Sequence, residues 1–362
     1  MQKAFAEINL KALSHNLNVV SKRTRNSRIL AVIKANAYGH GAVKVAEHLI
    51  RKGVSNLGVA YTNEAITLRE AGITTPILVF FDRDNIDACL EYNLTPTVFD
   101  LETARKLSAG AYRINKQIPV HIKVDTGMGR IGFDIRKAFE AVTAISSMKN
   151  IKLEGLMSHF SEADLKDKEF VNLQLTIFRS LAEKLKHHKI SFKYLHMANS
   201  AAVLTMPDAH LNMVRPGIML YGYGGCNIDK LKPVMSLKSS IVFLKKVPAG
   251  TPISYNRTFV TKRKSTIATI PVGYADGYNR KLSNHGEVLI NGIRVPVTGR
   301  VCMDTTMIDV TDVPGVNYKS EVVIMGRQGR EQITADDIAE KTGTIPYEVL
   351  TSVGQRIKRI YR

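Results

Sequence analysis

At 362 residues the chain exceeds the commonest single-domain size, so one large domain followed by a smaller unit is expected, and its 44% hydrophobic content leaves room for a sizeable core. The formal net charge of +19 (51 Lys and Arg against 32 Asp and Glu) is dispersed, with no long basic block and no aromatic-interleaved motif, so it gives no case for nucleic acid as a partner. Cys89, Cys226 and Cys302 have no paired spacing, which argues for reducing surroundings and against a disulfide framework or a zinc site.

In chain order, Glu7 and Lys11 interrupt the first residues before a signal-peptide core could form. No uncharged apolar run reaches the ~18 residues that would span a bilayer. A cytoplasmic protein without a membrane partner is expected.

Short β-branched runs then alternate with amphipathic segments. Strands are predicted at 29–33, 57–60, 77–80, 95–98, 120–124, 153–157, 194–197 and 213–214, with helices at 42–51, 63–71, 100–109, 136–146 and 168–188. Eight strands alternating with helices read as an α/β architecture, a parallel (β/α)8 TIM barrel, whose functional groups belong at the C-terminal strand ends. Beyond Lys232-Pro233 the pattern changes to strands without intervening helices, at 239–247, 266–272, 288–290, 293–297, 305–310 and 321–325. Asn291-Gly292 is a two-residue hairpin turn, Thr334 caps a short helix with Asp337, and Pro346 opens a last helix. The expected organisation is a barrel over 1–232 and a mostly antiparallel β domain over 233–362.

The residues that carry chemistry fall where that frame puts them. The run Ala31-Val-Ile-Lys-Ala-Asn-Ala-Tyr-Gly-His40 delivers Lys34 from the end of the first barrel strand into a turn of small residues. Low dielectric there disfavours the ammonium and makes Lys34 a candidate base or Schiff-base nucleophile. After the fifth strand, Lys123-Val-Asp-Thr-Gly-Met-Gly-Arg-Ile-Gly-Phe133 sets the planar fork of Arg130 in a glycine-rich loop suited to a carboxylate or phosphate. His159 follows the sixth strand. Asn199-Ser200 opens a helix-like segment after the seventh, where free N–H groups and a hydroxyl can meet a phosphate. Arg215 ends the eighth, in Val214-Arg-Pro-Gly-Ile-Met-Leu-Tyr221.

These motifs, from Ala31–His40 to the C-terminus, resemble the alanine racemase family, pyridoxal-phosphate enzymes of fold type III. The resemblance implies that Lys34 carries the cofactor as an aldimine, that Tyr38, Ser200, Gly217 and Ile218 surround its phosphate with Asn199 beside them, that His159 packs on its ring and that Arg215 faces its pyridine nitrogen. Arg130 then lies near the substrate carboxylate, and Lys123 matches a lysine that some members carbamylate to hold that arginine. Ile253-Ser-Tyr-Asn-Arg257 supplies Tyr255 as the second base, Lys34 acting on the D-side and Tyr255 on the L-side proton. Pro271-Val-Gly-Tyr-Ala-Asp-Gly277 matches a family segment, with Tyr274 and Arg280 near the entrance. In Gly299-Arg-Val-Cys-Met-Asp304, Met303 is implied to hold the substrate carboxylate and Asp304 to support it. The family shares its sites across a head-to-tail homodimer.

The implied activity is interconversion of L- and D-alanine, with D-alanine supplied for peptidoglycan. Other enzymes on the same barrel, a broader racemase or a basic amino-acid decarboxylase, and a non-catalytic cofactor carrier are the alternatives. A decarboxylase would place an acid where this chain has Arg215, and a carrier resembles the barrel alone. One departure is expected: Gln355 stands where some relatives have a tyrosine beside the cofactor, which would alter the entrance.

Overall fold

A computed structural model describes residues 4–24, 27–224 and 231–362, and Cys226 lies outside them. The chain opens with strand β1 (Ala4–Ile8) and helix α1 (Leu10–Arg23), whose cap Asn9 accepts a hydrogen bond from the Ala12 N–H. The barrel strands follow: β2 (Arg28–Val32), β3 (Asn56–Val59), β4 (Ile77–Val79), β5 (Thr95–Val98), β6 (Ile118–Asp125), β7 (Ile151–Met157), β8 (Tyr194–His196) and β9 (Met213–Val214). They pair in parallel in the order β9-β2-β3-β4-β5-β6-β7-β8. The seam between β8 and β9 is drawn together just past the strand ends, where the Arg215 N–H donates to the Ala198 carbonyl at 2.9 Å. The expected (β/α)8 barrel is therefore present and nearly closed.

Helices α2 (Ala42–Arg51), α3 (Thr62–Glu70), α4 (Ile86–Glu91), α5 (Leu101–Arg113), α6 (Ile135–Ser146), α7 (Glu169–His187) and α8 (Ser200–Thr205) connect these strands. β3, β4 and β5 are buried at every position, the signature of parallel strands covered on both faces, while α5 and α6 bury one apolar stripe. Each fully buried Leu, Ile or Val contributes about 1.5–3 kcal/mol by leaving water.

The second part holds β10 (Met235–Ser240), β11 (Phe243–Val247), β12 (Ser265–Ile270), β13 (Glu287–Ile290), β14 (Ile293–Pro296), β15 (Thr306–Asp309) and β16 (Glu321–Gln328), then α9 (Ala335–Thr342), α10 (Pro346–Thr351) and β17 (Lys358–Tyr361). One sheet runs β14-β13-β16-β10-β1-β17 and a smaller one β11-β12-β15. The single run expected at 239–247 is thus two strands, since the chain leaves one sheet after Ser240 and enters the other at Phe243. Asn291 and Gly292 take φ of 52° and 75°, as the hairpin requires, and Thr334 and Asp337 cap α9 reciprocally. β1 pairs antiparallel with β10 and parallel with β17, so the first strand of the chain lies in the sheet of the last.

Between β2 and α2 the backbone makes a left-handed turn. Ala35, Asn36, Ala37 and Tyr38 all have φ between 51° and 54°, a conformation that costs L-residues roughly 1–2 kcal/mol each. Contacts from elsewhere hold it. The Ala35 N–H donates to Glu64 at 2.5 Å, the Asn36 side chain accepts from the Ala42 N–H at 2.8 Å, Arg359 Nε donates to the Gly39 carbonyl at 3.0 Å and the Tyr361 hydroxyl donates to the His40 carbonyl at 3.2 Å. Two of these anchors belong to β17, so the last strand of the chain helps to fix the turn that starts at Lys34.

Gly39 (φ 81°) is pressed against α10, and a Cβ there would stand 2.3 Å from the Leu350 carbonyl oxygen. Gly39→Ala is expected to lower the urea midpoint by the equivalent of about 1–3 kcal/mol. Gly53→Ala, at φ 92° with open space around it, should cost distinctly less. Equal losses in the two unfolding curves would mean that the approach of α10 places no demand on Gly39.

Candidate active site

A cavity of about 250 Å³ opens at the C-terminal ends of the barrel strands. Its wall gathers Lys34 and Tyr38 after β2, Lys123 within β6, Arg130 after it, His159 after β7, Asn199 and Ser200 at the start of α8, and Arg215, Gly217 and Ile218 after β9. Ten residues singled out from five separate stretches of sequence thus meet at one place.

The floor is built around Arg215, which is buried. Its NH1 donates to Nδ1 of His196 at 2.7 Å and to the His196 carbonyl at 2.8 Å; its NH2 reaches the carbonyls of Ser158 at 2.7 Å and Met197 at 3.0 Å and Nδ1 of His159 at 3.2 Å. Nε–H has no partner among the described residues. His159 accepts through Nδ1, so its own proton is on Nε2. Burial, then the charge of Arg215, holds His159 well below the usual histidine range and keeps it neutral.

Donors without partners cluster in one part of the cavity. Ser200 Oγ accepts from the Gly217 N–H at 2.9 Å and the Met219 N–H at 3.3 Å, leaving its own hydroxyl proton to give. The Ile218 N–H and the Tyr38 hydroxyl have no partner among the described residues. A Cβ on Gly217 would stand 2.4 Å from that hydroxyl, so glycine lets the two meet. Asn199 spends its carbonyl on the Ala202 N–H at 3.0 Å. Such a set suits the oxygens of an anion.

Lys34 lies with its Nζ 5.5 Å from the centre of the Phe81 ring, and the Arg130 guanidinium is 5.4 Å from the same ring. Burial, and after it Arg130, pulls the Lys34 pKa down; Glu64 opposes them. The Arg130 loop is closed by Asp125, which accepts from the N–H groups of Gly127 at 2.9 Å and Met128 at 2.8 Å. Lys123 is buried, its Nζ has no hydrogen-bond partner among the described residues, and burial, Arg215 and Arg130 hold it well below the lysine range.

The β-domain residues stand elsewhere on the chain. Tyr255 and Met303 are 67% and 53% exposed and line a second cavity of about 470 Å³ with Cys302 and Asp304, and the cavity around Lys34 contains neither. Tyr255 is presented by Ser254, held at φ 65° by a hydrogen bond from its Oγ to the Arg300 carbonyl. Tyr274 and Arg280 line a third cavity, and Asp304 pairs with Arg356 at 2.8 Å.

Several residues of the site had no sequence signal of their own. Phe80, Phe81 and Met157 are apolar strand ends whose place on the wall follows only from barrel closure. Glu64 was legible only as a residue of the α3 pattern. Tyr221, quoted without a role, is fully buried behind Tyr38 with ring centres 4.8 Å apart. Gln355, where the resemblance led to a departure at the entrance, is exposed, and Tyr347, carried by α10, lines the cavity with its ring 6.0 Å from that of Tyr38.

A partly buried lysine, a ring of cations and an anion cradle at the mouth of a (β/α)8 barrel, with a β domain appended, define a barrel enzyme organised around a reactive amine. Residues 8–224 match the family described as alanine racemase, N-terminal domain, and residues 234–361 match alanine racemase, C-terminal domain; the chain belongs to the alanine racemase family. It is 50% identical over 361 residues to the alanine racemase of Thermodesulfovibrio yellowstonii, covering 98% of this chain and 97% of that one. Its structure resembles alanine racemase of Clostridium difficile 630 (TM-score 0.95, 38% identity, 100% and 96% of the two chains covered). It also resembles that of Bartonella henselae with covalently bound pyridoxal phosphate (TM-score 0.88, 30% identity, 99% of each). Its activity is that of an amino-acid isomerase, interconverting L- and D-alanine.

Because burial and Arg130 disfavour the Lys34 ammonium, Lys34 should lose its proton at lower pH than exposed lysines. Glu64→Gln removes the carboxylate that favours the ammonium and should move that titration lower still. Competitive acetylation across pH, read peptide by peptide, checks both; Lys34 titrating with the exposed lysines would contradict this electrostatic picture.

Proposed function

We propose that this chain racemises alanine with pyridoxal phosphate through sites shared between two copies, the barrel (1–232) holding the cofactor and the β domain (233–362) serving the partner's site. The reading is carried by the convergence of Lys34 with the unpartnered donors of Tyr38, Ser200 and Ile218 in one cavity. A group with an aldehyde to meet the amine and a phosphate to meet the donors fits these residues. The covalently bound cofactor of the Bartonella henselae relative supports it.

When bound, pyridoxal phosphate supplies an electron-withdrawing ring that acidifies the Cα–H of an attached amino acid. With the cofactor bound, Lys34 Nζ would take or return the proton on the D face. The partner subunit's Tyr255 does so with its phenol oxygen on the L face, which requires a second copy because Tyr255 and Lys34 line separate cavities here. Arg130 and the partner subunit's Met303 hold the substrate carboxylate, with Tyr274, Arg280 and Asp304 at the entrance. Burial, and after it Arg130, pulls the pKa of the Arg215 guanidinium down to about 9, so near neutral pH it still keeps its proton. It therefore hands no proton to a ring nitrogen, which favours simple proton removal and return over longer-lived carbanion chemistry. The D-alanine formed serves peptidoglycan synthesis in the cytoplasm.

The Lys34→Ala and Tyr255→Phe chains should each be inactive, but mixed they should recover activity. A hybrid dimer pairs the intact Lys34 of one chain with the intact Tyr255 of the other, so random reassortment restores roughly a quarter of the wild-type rate. The assay is α-deuterium incorporation and chirality of L-alanine in deuterated water. A mixture as dead as its parents would sink the shared site, and a racemising Tyr255→Phe would remove Tyr255 from the mechanism.

Lys123 has a further role in this scheme. A neutral buried amine near two guanidiniums is poised to add to carbon dioxide. Nζ forms the new C–N bond and gives one proton to solvent, and the carbamate anion pairs with Arg130. With ¹³C-labelled bicarbonate, a protein-bound carbonyl resonance should appear in the wild type and vanish in Lys123→Gln. Its absence from active wild-type enzyme would falsify the modification.

A further inference from the structure

His40 closes the left-handed turn that starts at Lys34, is fully buried and does not line the cavity. Its Nδ1 stands 2.8 Å from the Tyr38 carbonyl and 3.0 Å from the Ala37 carbonyl. No other hydrogen bond reaches the Tyr38 carbonyl among the described residues. The contacts from Glu64, Ala42, Arg359 and Tyr361 grip the turn at residues 35, 36, 39 and 40. The stretch that carries Tyr38 is therefore held from within, by this imidazole.

The partners fix the state of the ring. Carbonyl oxygens can only accept, so Nδ1 carries the proton and shares it between the two. Nε2 is buried with no hydrogen-bond partner among the described residues, and a proton there would have nothing to meet. Burial, opposed by the two carbonyl bonds, brings the His40 pKa down to about 4, which keeps the ring neutral. The ring also packs on Tyr221 with centres 4.5 Å apart, and Tyr221 packs on Tyr38 at 4.8 Å while its hydroxyl donates to the Val32 carbonyl at 3.1 Å. Tyr38 is thereby gripped twice, at its backbone by Nδ1–H and at its ring through Tyr221. Its hydroxyl sits so close to Gly217 that a Cβ there would stand 2.4 Å away, which makes its place among the donors of the cavity sensitive to small shifts of residue 38.

We propose that His40 is a positioning residue for Tyr38: its Nδ1–H fixes the carbonyl of residue 38 and with it the aim of the Tyr38 hydroxyl at the anion end of the cavity. The inference rests on the reading of Tyr38 as a donor to the cofactor phosphate. A phenylalanine at 40 keeps a ring against Tyr221 but strands both carbonyls. An asparagine loses the ring but sets an amide N–H two bonds from Cβ, where Nδ1–H stands. A glutamine sets its amide one bond too far.

The test is equilibrium binding of pyridoxal phosphate, and of pyridoxal, which lacks the phosphate, to the cofactor-free full chain, followed by absorbance. The wild type should bind pyridoxal phosphate much the more tightly. His40→Phe should weaken pyridoxal phosphate about tenfold, the scale for groups that orient a binding residue from behind, and leave pyridoxal nearly unchanged. His40→Asn should bind pyridoxal phosphate close to the wild-type strength, whereas His40→Gln should resemble His40→Phe and stands in for it if the phenylalanine chain does not fold. Combined with Tyr38→Phe, His40→Phe should cost nothing beyond Tyr38→Phe alone. ¹⁵N-histidine NMR should show His40 as a neutral Nδ1–H tautomer with and without pyridoxal phosphate. Equal weakening of both ligands, additive losses, a His40→Asn chain as impaired as His40→Gln, or an Nε2–H tautomer would each overturn the proposal while leaving Tyr38 its role. Equal affinity of the wild type for the two ligands would overturn the phosphate reading of Tyr38 itself, and the role of His40 with it.

Discussion

A guanidinium buried at the seam of the barrel is the constraint on which the rest of this molecule depends. The backbone N–H of Arg215 closes the gap between the last two barrel strands, and its side chain ties together the carbonyls of Ser158, His196 and Met197. An unpaired buried charge would cost several kcal/mol, so this one is tolerated only because its terminal N–H groups are satisfied. The carbonyls that satisfy it belong to the ends of β7 and β8. Barrel closure and site construction are therefore a single structural event.

The same cavity collects Lys34, Lys123 and Arg130, against which the acids nearby, Glu64 and Asp125, are largely spent on backbone N–H groups. Burial, and after it the repulsion of the like charges gathered there, pushes both Lys34 and Lys123 toward their neutral forms. A surplus of positive charge makes the site receptive to anions, and it makes an amine nucleophilic where a solvated lysine would be protonated. The electrostatic cost of gathering these cations and the reactivity of Lys34 have one origin.

The fold and most of the barrel residues were legible because their signals are local. Eight β-branched runs separated by amphipathic segments fix a parallel barrel, and the barrel fixes which strand ends converge, so Lys34, Lys123, Arg130, His159 and Arg215 could be grouped before any coordinate was known. What stayed hidden depends on long-range pairing. β1 reads as an unremarkable N-terminal segment, and nothing local says that it lies between β10 and β17. The break after Ser240 is invisible in a continuous β pattern because both halves are apolar enough for either sheet. The place of Tyr347 is hidden for a related reason: the packing of α10 against the Lys34 turn sets which residue meets Tyr38, and nothing local reveals it.

The left-handed turn after Lys34 joins these threads. Four consecutive non-glycine residues in that conformation carry several kcal/mol of unfavourable backbone energy, more than their own hydrogen bonds repay. What holds them comes from three directions: Glu64 of the barrel, α10 against Gly39, and Arg359 and Tyr361 of β17. Arg359 spends its remaining N–H groups on the carbonyls of Val353, Gly354 and Ile357, so the strand that grips the turn is itself braced by the segment leading out of α10. The position of the reactive amine is thus set as much by the end of the chain as by the barrel strand that delivers it. This accounts for a domain arrangement in which β1 and β17 pair with each other beside the barrel mouth, since a β domain tethered only by a linker could not supply those contacts.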